Sequence, residues 1–204
     1  MSLRCAILTA VWLACVATLV GKLQVYANAP GQSLPAPEVL TLELITEENG
    51  PRRIPRVYLF LHEHCPCSRA SVLELARQTE LREDALITLV LSGPGLNIPG
   101  ERSIRDLARQ QLPYAVIHED PTGDFARSLG ALTSGHAVLY RHDGTLHFSG
   151  GLTPSRAHAG PCPGRDALET LTGSRGKHTT APVFGCPLFS ESCDDTAYCG
   201  DPNP

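Results

Sequence analysis

The stretch of residues 57–75 reads VYLFL, then HEH, then CPCSRASVLEL. The apolar run Val57–Leu61 predicts a buried strand, and the residues after it open an amphipathic segment that begins at two closely spaced thiols. A cysteine at a helix start lies beside unpaired backbone N–H groups and the positive end of the helix dipole, which lower its pKa below the free value of about 8.5. We therefore predict that Cys65 is a nucleophilic thiol near neutral pH.

The spacing around Cys65 restricts its partners. With Cys65 as the N-cap, Pro66 occupies the first helical position, where its missing N–H is tolerated. Ser68 lies one turn into the helix, so its backbone N–H, or its hydroxyl, could hydrogen-bond the Cys65 thiolate. Cys67 is the second candidate catalytic thiol, but residues two apart on a helix point in different directions. A Cys65–Cys67 disulfide would thus require local unwinding.

More distant cysteines offer a second route to a disulfide. Cys162 and Cys186 are candidate resolving thiols, and the sequence leaves open whether either of them or Cys67 pairs with Cys65. Cys193 and Cys199 predict a local disulfide instead, since their spacing fits no standard zinc signature.

The first 29 residues differ from the rest of the chain. Arg4 and Lys22 are the only charged residues in this otherwise apolar run, which is typical of an export segment. We favour its retention as a single transmembrane anchor in the cell membrane, whereas a small-residue site allows secretion after cleavage near Ala29. Either way, we predict that the rest of the chain lies in the periplasm or another extracytoplasmic space.

The charge balance bears on the kind of partner. The leader holds two of the 17 basic residues and none of the 21 acidic ones, so the remainder has a formal charge of 15 minus 21, or −6. This excess of acidic residues argues against a nucleic-acid partner. We find no binding signature for a nucleotide, flavin or haem, so no cofactor is predicted.

The order of elements predicts an α/β fold. Residues 30–55 suggest a proline-rich spacer with at most one edge strand, 56–173 a single domain and 174–204 an irregular cysteine-containing tail. Within the domain, the Asp143-Gly144 turn between predicted strands at 136–140 and 145–148 indicates an antiparallel hairpin. The remaining predicted elements are strands at 85–91 and 114–118 and helices at 103–111, 123–129 and 164–171. Their alternation predicts a central mixed sheet flanked by helices.

The thiol segment resembles the active site of exported thioredoxin-like oxidoreductases of the TlpA/ResA type, Cys-x-x-Cys-Arg-Ala-Glu-x-Pro-Glu-Leu. Cys65 takes the place of the first cysteine, and Ser68 stands where the second is expected. The matching residues that follow are Arg69, Ala70, Glu74 and Leu75. The motifs CPCSRAS and FGCP also resemble a small RedB-like subfamily. The resemblance implies a thioredoxin fold, exchange with protein thiols and disulfides, and a protein electron donor.

The resemblance further implies a cis-proline facing the active-site cysteine. Aligning residues 139–144 with the corresponding strand and turn places Gly135 at that position. The loop at residues 133–136 is then expected to form the wall opposite Cys65. The insertion at residues 150–160 is a second segment that could approach the site closely.

Three function classes follow. The leading one is a membrane-tethered thiol–disulfide oxidoreductase acting through Cys65, with His64 as a supporting residue that tunes the thiolate. The alternative is a Cu(I)-handling module in which Cys65, Cys67 and a nearby histidine such as His136 bind the ion. A third, a peroxidase-like monothiol enzyme, lacks the expected Thr-x-x-Cys pattern. Glu63 is expected at the surface.

Overall fold

The computed structural model describes residues 3–40, 54–63, 65–78, 84–93, 103–171 and 178–189. The helices are α1 (Leu3–Asn28), α2 (Pro66–Ala76), α3 (Ile104–Gln111), α4 (Asp124–Ser128) and α5 (Pro163–Thr170). The strands are β1 (Arg56–Leu61), β2 (Leu86–Ser92), β3 (Val116–Asp120), β4 (His136–Tyr140), β5 (Leu146–Gly151) and β6 (Thr179–Thr180).

The six strands form one mixed sheet in the order β3-β2-β1-β4-β5-β6. β1 pairs in parallel with β2, and β2 with β3, because a helix-containing connection returns the chain in each case. β4 runs antiparallel to both β1 and β5, so the predicted hairpin is confirmed. This is the arrangement of a thioredoxin fold, as predicted.

Strand β1 lies at the centre and is buried along its whole length. Val57, Leu59 and Leu61 point to one face, where they pack with α2, α3 and α5. Tyr58 and Phe60 point to the other face and pack with α4. An uninterrupted apolar run suits a strand that is covered on both sides. The strand ends at Leu61, which brings the thiol segment to the carboxyl edge of the sheet.

The predicted helices and strands of the domain are all present, with shifted ends. β3 begins two residues after the predicted start, and β5 continues through Gly150 and Gly151. The short β6 was not expected. Residues 33 and 39 of the proposed spacer form isolated bridges to Ala131 and Thr145, so this part of it lies against the domain.

Helix α1 is 26 residues long, with a mean hydropathy of 2.1 over its most apolar window. None of that window is buried against the rest of the protein. Its length and composition suit a membrane span, and a signal sequence at the N-terminus has the same properties.

Candidate functional site

Cys65 is the N-cap of α2, and Pro66 is at the start of the helix, as expected. The Cys65 backbone is extended, with φ −84° and ψ 122°, and its N–H donates to the His62 carbonyl at 3.2 Å. The side chain is only 1% exposed. The end of β1 and the first turn of α2 together hold the Cys65 sulfur in the interior at the edge of the sheet.

Three thiols meet at this point. The sulfur atoms of Cys65 and Cys186 are 3.1 Å apart, within hydrogen-bonding distance. The Cys67 side chain also hydrogen-bonds to Cys65. Because Cys65 lies just outside the regular helix, its side chain can meet that of Cys67 although the two residues are only two apart. None of these cysteines forms a disulfide in this structure.

The contacts among the three thiols lower the pKa of Cys65 and raise those of Cys67 and Cys186. Hydrogen bonds from Cys186, Cys67, Ser134 and the Ser68 backbone lower the pKa of Cys65 far below the ordinary thiol value, against the opposing effect of burial. The pKa values of Cys67 and Cys186 are raised, since each hydrogen-bonds to Cys65 and each is buried. Cys65 is therefore the thiolate of the group, and the other two thiols keep their protons.

Ser134 connects Cys65 to Cys186. Its hydroxyl donates to the Cys65 sulfur at 3.0 Å and accepts from the Cys186 backbone N–H at 3.0 Å. Its own backbone N–H donates to the Cys186 carbonyl at 2.8 Å. The loop at residues 133–136 thus faces Cys65 as expected, but the sequence did not single out Ser134 as the residue in contact.

Gly135 follows with a positive φ of 82°. Its N–H donates to the Phe60 carbonyl at 2.7 Å, and a Cβ at this position would lie 2.8 Å from the Ser71 hydroxyl. Proline has a fixed φ near −65° and no N–H, so it could not follow this backbone path. Gly135 therefore makes a different turn from the proline that the resemblance implied.

Ser68 contacts Cys65 through its backbone. Its backbone hydrogen bond helps to lower the pKa of Cys65. The hydroxyl instead accepts from the His62 N–H at 2.9 Å and is fully buried. The hydroxyl thus has a partner at the end of β1, and a hydrogen bond from it to the Cys65 thiolate stays a prediction.

The two hypotheses each named a histidine, His64 as a residue that tunes the thiolate and His136 as a copper ligand. His64 lies outside the described residues. His136 is buried, and its Nε2 lies 2.8 Å from the Ser149 hydroxyl. Burial lowers its pKa to about 4, so the ring is neutral at physiological pH. Although three thiols meet at Cys65, no group of three or more histidine, cysteine or acidic side chains among the described residues is placed so that it could hold a metal ion.

Glu63 is buried, contrary to the expectation of a surface position. Its Oε1 accepts from the Ser103 hydroxyl at 2.6 Å and from the Ile104 N–H at 3.0 Å. The carboxylate thereby satisfies the N-terminus of α3, where helix polarity favours a negative charge. Ser103 lies 40 residues after Glu63 in the chain, so no local sequence pattern indicated this contact.

Arg156 brings the 150–160 insertion to the thiols. Its guanidinium donates to the carbonyls of Gly185 and Tyr26, and its backbone N–H donates to the Ala27 carbonyl at 3.0 Å. The next residue, Ala157, hydrogen-bonds Cys67 through its backbone. The insertion therefore joins the end of α1 to the segment that carries Cys186.

Of the two distant candidate resolving thiols, Cys186 is the one beside Cys65. Cys162 is buried at the N-cap of α5, where burial raises its pKa and the backbone of Arg165 and Gly164 interacts with its sulfur. Cys193 and Cys199 lie outside the described residues.

No protein-family model matches the sequence, and no curated protein matches it. An uncharacterized conserved protein from Geobacillus kaustophilus has a similar structure, with a TM-score of 0.57 and 22% identity over 82% of this chain and 96% of that chain. A hypothetical protein from Sinorhizobium meliloti 1021 follows, with a TM-score of 0.50 and 17% identity over 79% and 93%. At these identities the likeness concerns the fold alone.

A secreted Mycobacterium tuberculosis disulfide oxidoreductase, homologous to E. coli DsbE, is more distant in structure. Its TM-score is 0.37 and its identity 16%, over 46% of this chain and 66% of that chain.

Proposed function

We propose that the chain is an extracytoplasmic, membrane-tethered thiol–disulfide oxidoreductase that acts on protein disulfides through Cys65. The observation that carries the proposal is the 3.1 Å distance between the sulfur atoms of Cys65 and Cys186. A disulfide bond is about 2.05 Å long, so the two sulfur atoms need to approach by only about 1 Å to bond.

The reaction has two exchange steps. The Cys65 thiolate attacks one sulfur of a protein disulfide, which forms a mixed disulfide and releases the other sulfur as a thiolate. Cys186 then loses its proton, to the released thiolate or to solvent, and attacks the Cys65 sulfur. This second step releases the client's remaining thiolate and leaves a Cys65–Cys186 disulfide. The client disulfide gains two electrons, and the two cysteines lose them.

A second protein must return those electrons. A dithiol donor that attacks the Cys65–Cys186 disulfide would restore both thiols and itself become oxidised. This need for protein partners agrees with the resemblance of Cys65–Leu75 to the TlpA/ResA type and of the FGCP motif to the RedB-like subfamily. Helix α1 would hold the domain at the outer face of the membrane, and the acidic balance supports the absence of nucleic acid among its partners.

Cys67 is assigned a supporting catalytic role. Its thiol hydrogen-bonds the Cys65 sulfur and so helps to stabilise the thiolate. A Cys65–Cys67 disulfide remains the competing pairing. Cys162 is the less favoured resolving residue, because its interactions lie within the start of α5.

The experiment is disulfide trapping with the full-length chain in detergent micelles. Wild-type protein, Cys186→Ser and the control Cys162→Ser are mixed with a protein that contains a reducible disulfide, and products are mapped by mass spectrometry without reduction. We expect Cys186→Ser to accumulate a mixed disulfide at Cys65, whereas wild type and Cys162→Ser form the internal Cys65–Cys186 bond. Absence of any disulfide at Cys65 in all three proteins would refute the oxidoreductase proposal.

The Cu(I)-handling alternative has less support from the site. His136, its suggested histidine ligand, is engaged with Ser149. A copper titration of wild type and Cys67→Ser separates the alternatives, since a two-thiol copper site requires that the Cys67→Ser variant bind Cu(I) more weakly.

A further inference from the structure

The burial of Cys65 raises a question of access, because a nucleophile for protein disulfides must meet a foreign sulfur. Part of its cover is the segment of residues 183–189, which we call the strap. The strap is fixed near both ends by buried apolar side chains, Val183 at 1% and Leu188 at 2% exposure. Between them, Cys186 is only partly buried and Pro187 is exposed.

The strap pairs with the loop opposite Cys65 as a short antiparallel strand. Thr133 and Pro187 are bridge partners. On either side of them, the Ser134 N–H donates to the Cys186 carbonyl at 2.8 Å and the Leu188 N–H donates to the Leu132 carbonyl at 2.9 Å. Pro187 needs no N–H here, because its pair with Thr133 is the non-hydrogen-bonded kind. These contacts are main-chain contacts, which any extended polypeptide can make.

The middle of the strap lies close to the loop but is held there mainly by polar groups. A Cβ on Gly185 would lie well inside contact distance of the Ser134 carbonyl oxygen, so the close approach requires glycine. The Gly185 carbonyl accepts from the Arg156 guanidinium. Polar contacts of this kind can be exchanged for equivalent contacts with another chain at little net cost.

We infer that the strap occupies a docking groove, and that a client protein docks there as an extended segment with a cysteine in the place of Cys186. The inference deepens the proposed function and rests on it. The client sulfur must reach the Cys65 sulfur, and Cys186 lies 3.1 Å from that atom. Residues 184–187 therefore lift away when the client binds and return when Cys186 resolves the mixed disulfide. The Cys65–Cys186 bond then holds the strap in place and leaves no room for the client.

The first test measures access to Cys65 in the reduced full-length chain in detergent micelles. Gly185→Ala introduces the side chain that the groove cannot hold, and the matched control Pro182→Ala alters an exposed residue just outside the strap. We expect iodoacetamide to alkylate Cys65 about tenfold faster in Gly185→Ala than in wild type, which is the factor expected for the loss of one or two hydrogen bonds. Pro182→Ala should react at the wild-type rate. Arg156→Ala, which releases the Gly185 carbonyl without a steric clash, is the second opening variant.

The second test asks whether the opened groove binds an extended chain. The probe is a fluorescein-labelled peptide of residues 183–189 in which serine replaces the cysteine, so that no disulfide chemistry is possible. We expect fluorescence anisotropy to show at least severalfold tighter binding to Gly185→Ala and Arg156→Ala than to wild type, and no binding of a scrambled peptide.

The outcomes distinguish the two proposals. Failure of the peptide to bind either opened variant, or equal alkylation of Cys65 in all variants, overturns the docking groove even when disulfide trapping at Cys65 succeeds. Peptide binding without any disulfide at Cys65 upholds the groove and refutes the oxidoreductase reaction.

Discussion

Replacement of Ser134 by alanine tests the electrostatics of the site most directly. The hydroxyl is fully buried and donates to the Cys65 sulfur at 3.0 Å. The same oxygen accepts from the Cys186 N–H. Ser134→Ala therefore removes one donor to the thiolate and leaves one backbone N–H of the strap without its acceptor, while the backbone pairing of residue 134 can persist.

The size of the effect follows from the charge on the sulfur. A hydrogen bond to a charged group contributes about 1.5–3 kcal/mol, which corresponds to a roughly ten- to hundredfold change in the equilibrium between thiol and thiolate. The bonds from Cys186, Cys67 and the Ser68 backbone remain in the variant. We thus expect Ser134→Ala to raise the pKa of Cys65, with the thiolate disfavoured by this roughly ten- to hundredfold factor. The pKa should still lie below that of an ordinary thiol.

The assay is the alkylation rate of Cys65 as a function of pH, followed by peptide mapping of the full-length protein. The pH at which the rate falls to half of its plateau should move upward in Ser134→Ala. Ser71→Ala is the matched control, since the Ser71 hydroxyl is also buried, in the middle of α2, and has no hydrogen-bond partner among the described residues. An unchanged half-rate pH in Ser134→Ala, or an equal change in Ser71→Ala, would refute the assignment of Ser134 as a donor to the thiolate.

Two further predictions concern stability. Glu63→Ala should lower the free energy of unfolding by about 2–3 kcal/mol in chemical denaturation, because it removes a buried acceptor from the start of α3, whereas the exposed ion-pair variant Glu119→Ala should lower it by no more than about 1 kcal/mol. Equal losses in the two variants would contradict the capping role of Glu63. Burial lowers the pKa of His136 from 6.5 to about 4, so the unfolded chain takes up the proton at a higher pH than the folded chain does. The free energy of unfolding therefore falls as the pH drops from 6.5 to about 4, by up to about 3 kcal/mol for this residue. Denaturation midpoints measured between pH 7 and pH 4 should therefore decline less steeply in His136→Gln than in wild type and in the exposed control His142→Gln. Parallel declines in all three proteins would argue against a neutral buried ring at His136.

Local sequence was sufficient for the elements of residues 56–173, although it gave no sign of β6. The run at residues 57–61 has no polar position, so it could only be stable between two layers, and β1 is the central strand that contacts both core clusters. The Asp-Gly turn specified the β4–β5 hairpin, because its backbone preference acts over a few residues. The predicted ends of β3 and β5 were less accurate, since pairing within the sheet can extend a strand beyond the residues that favour it on their own.

Only part of the candidate site could be predicted from the sequence. The helix N-terminus identifies Cys65 as the thiol with a lowered pKa, because the dipole and the free N–H groups depend on local chain direction alone. The donors that lower this pKa further come from elsewhere. Ser134 lies 69 residues away and Cys186 lies 121 residues away along the chain.

The α/β order, the buried central strand and the place of Cys65 at a helix start thus follow from local sequence. Each depends on periodicity, turn chemistry or capping, which act within a few residues. The packed fold was needed to show that Cys186 rather than Cys162 lies beside Cys65, that Gly135 takes a positive φ and that Arg156 reaches the strap. These contacts join segments whose encounter depends on the packing of the whole sheet, and no local pattern records that packing.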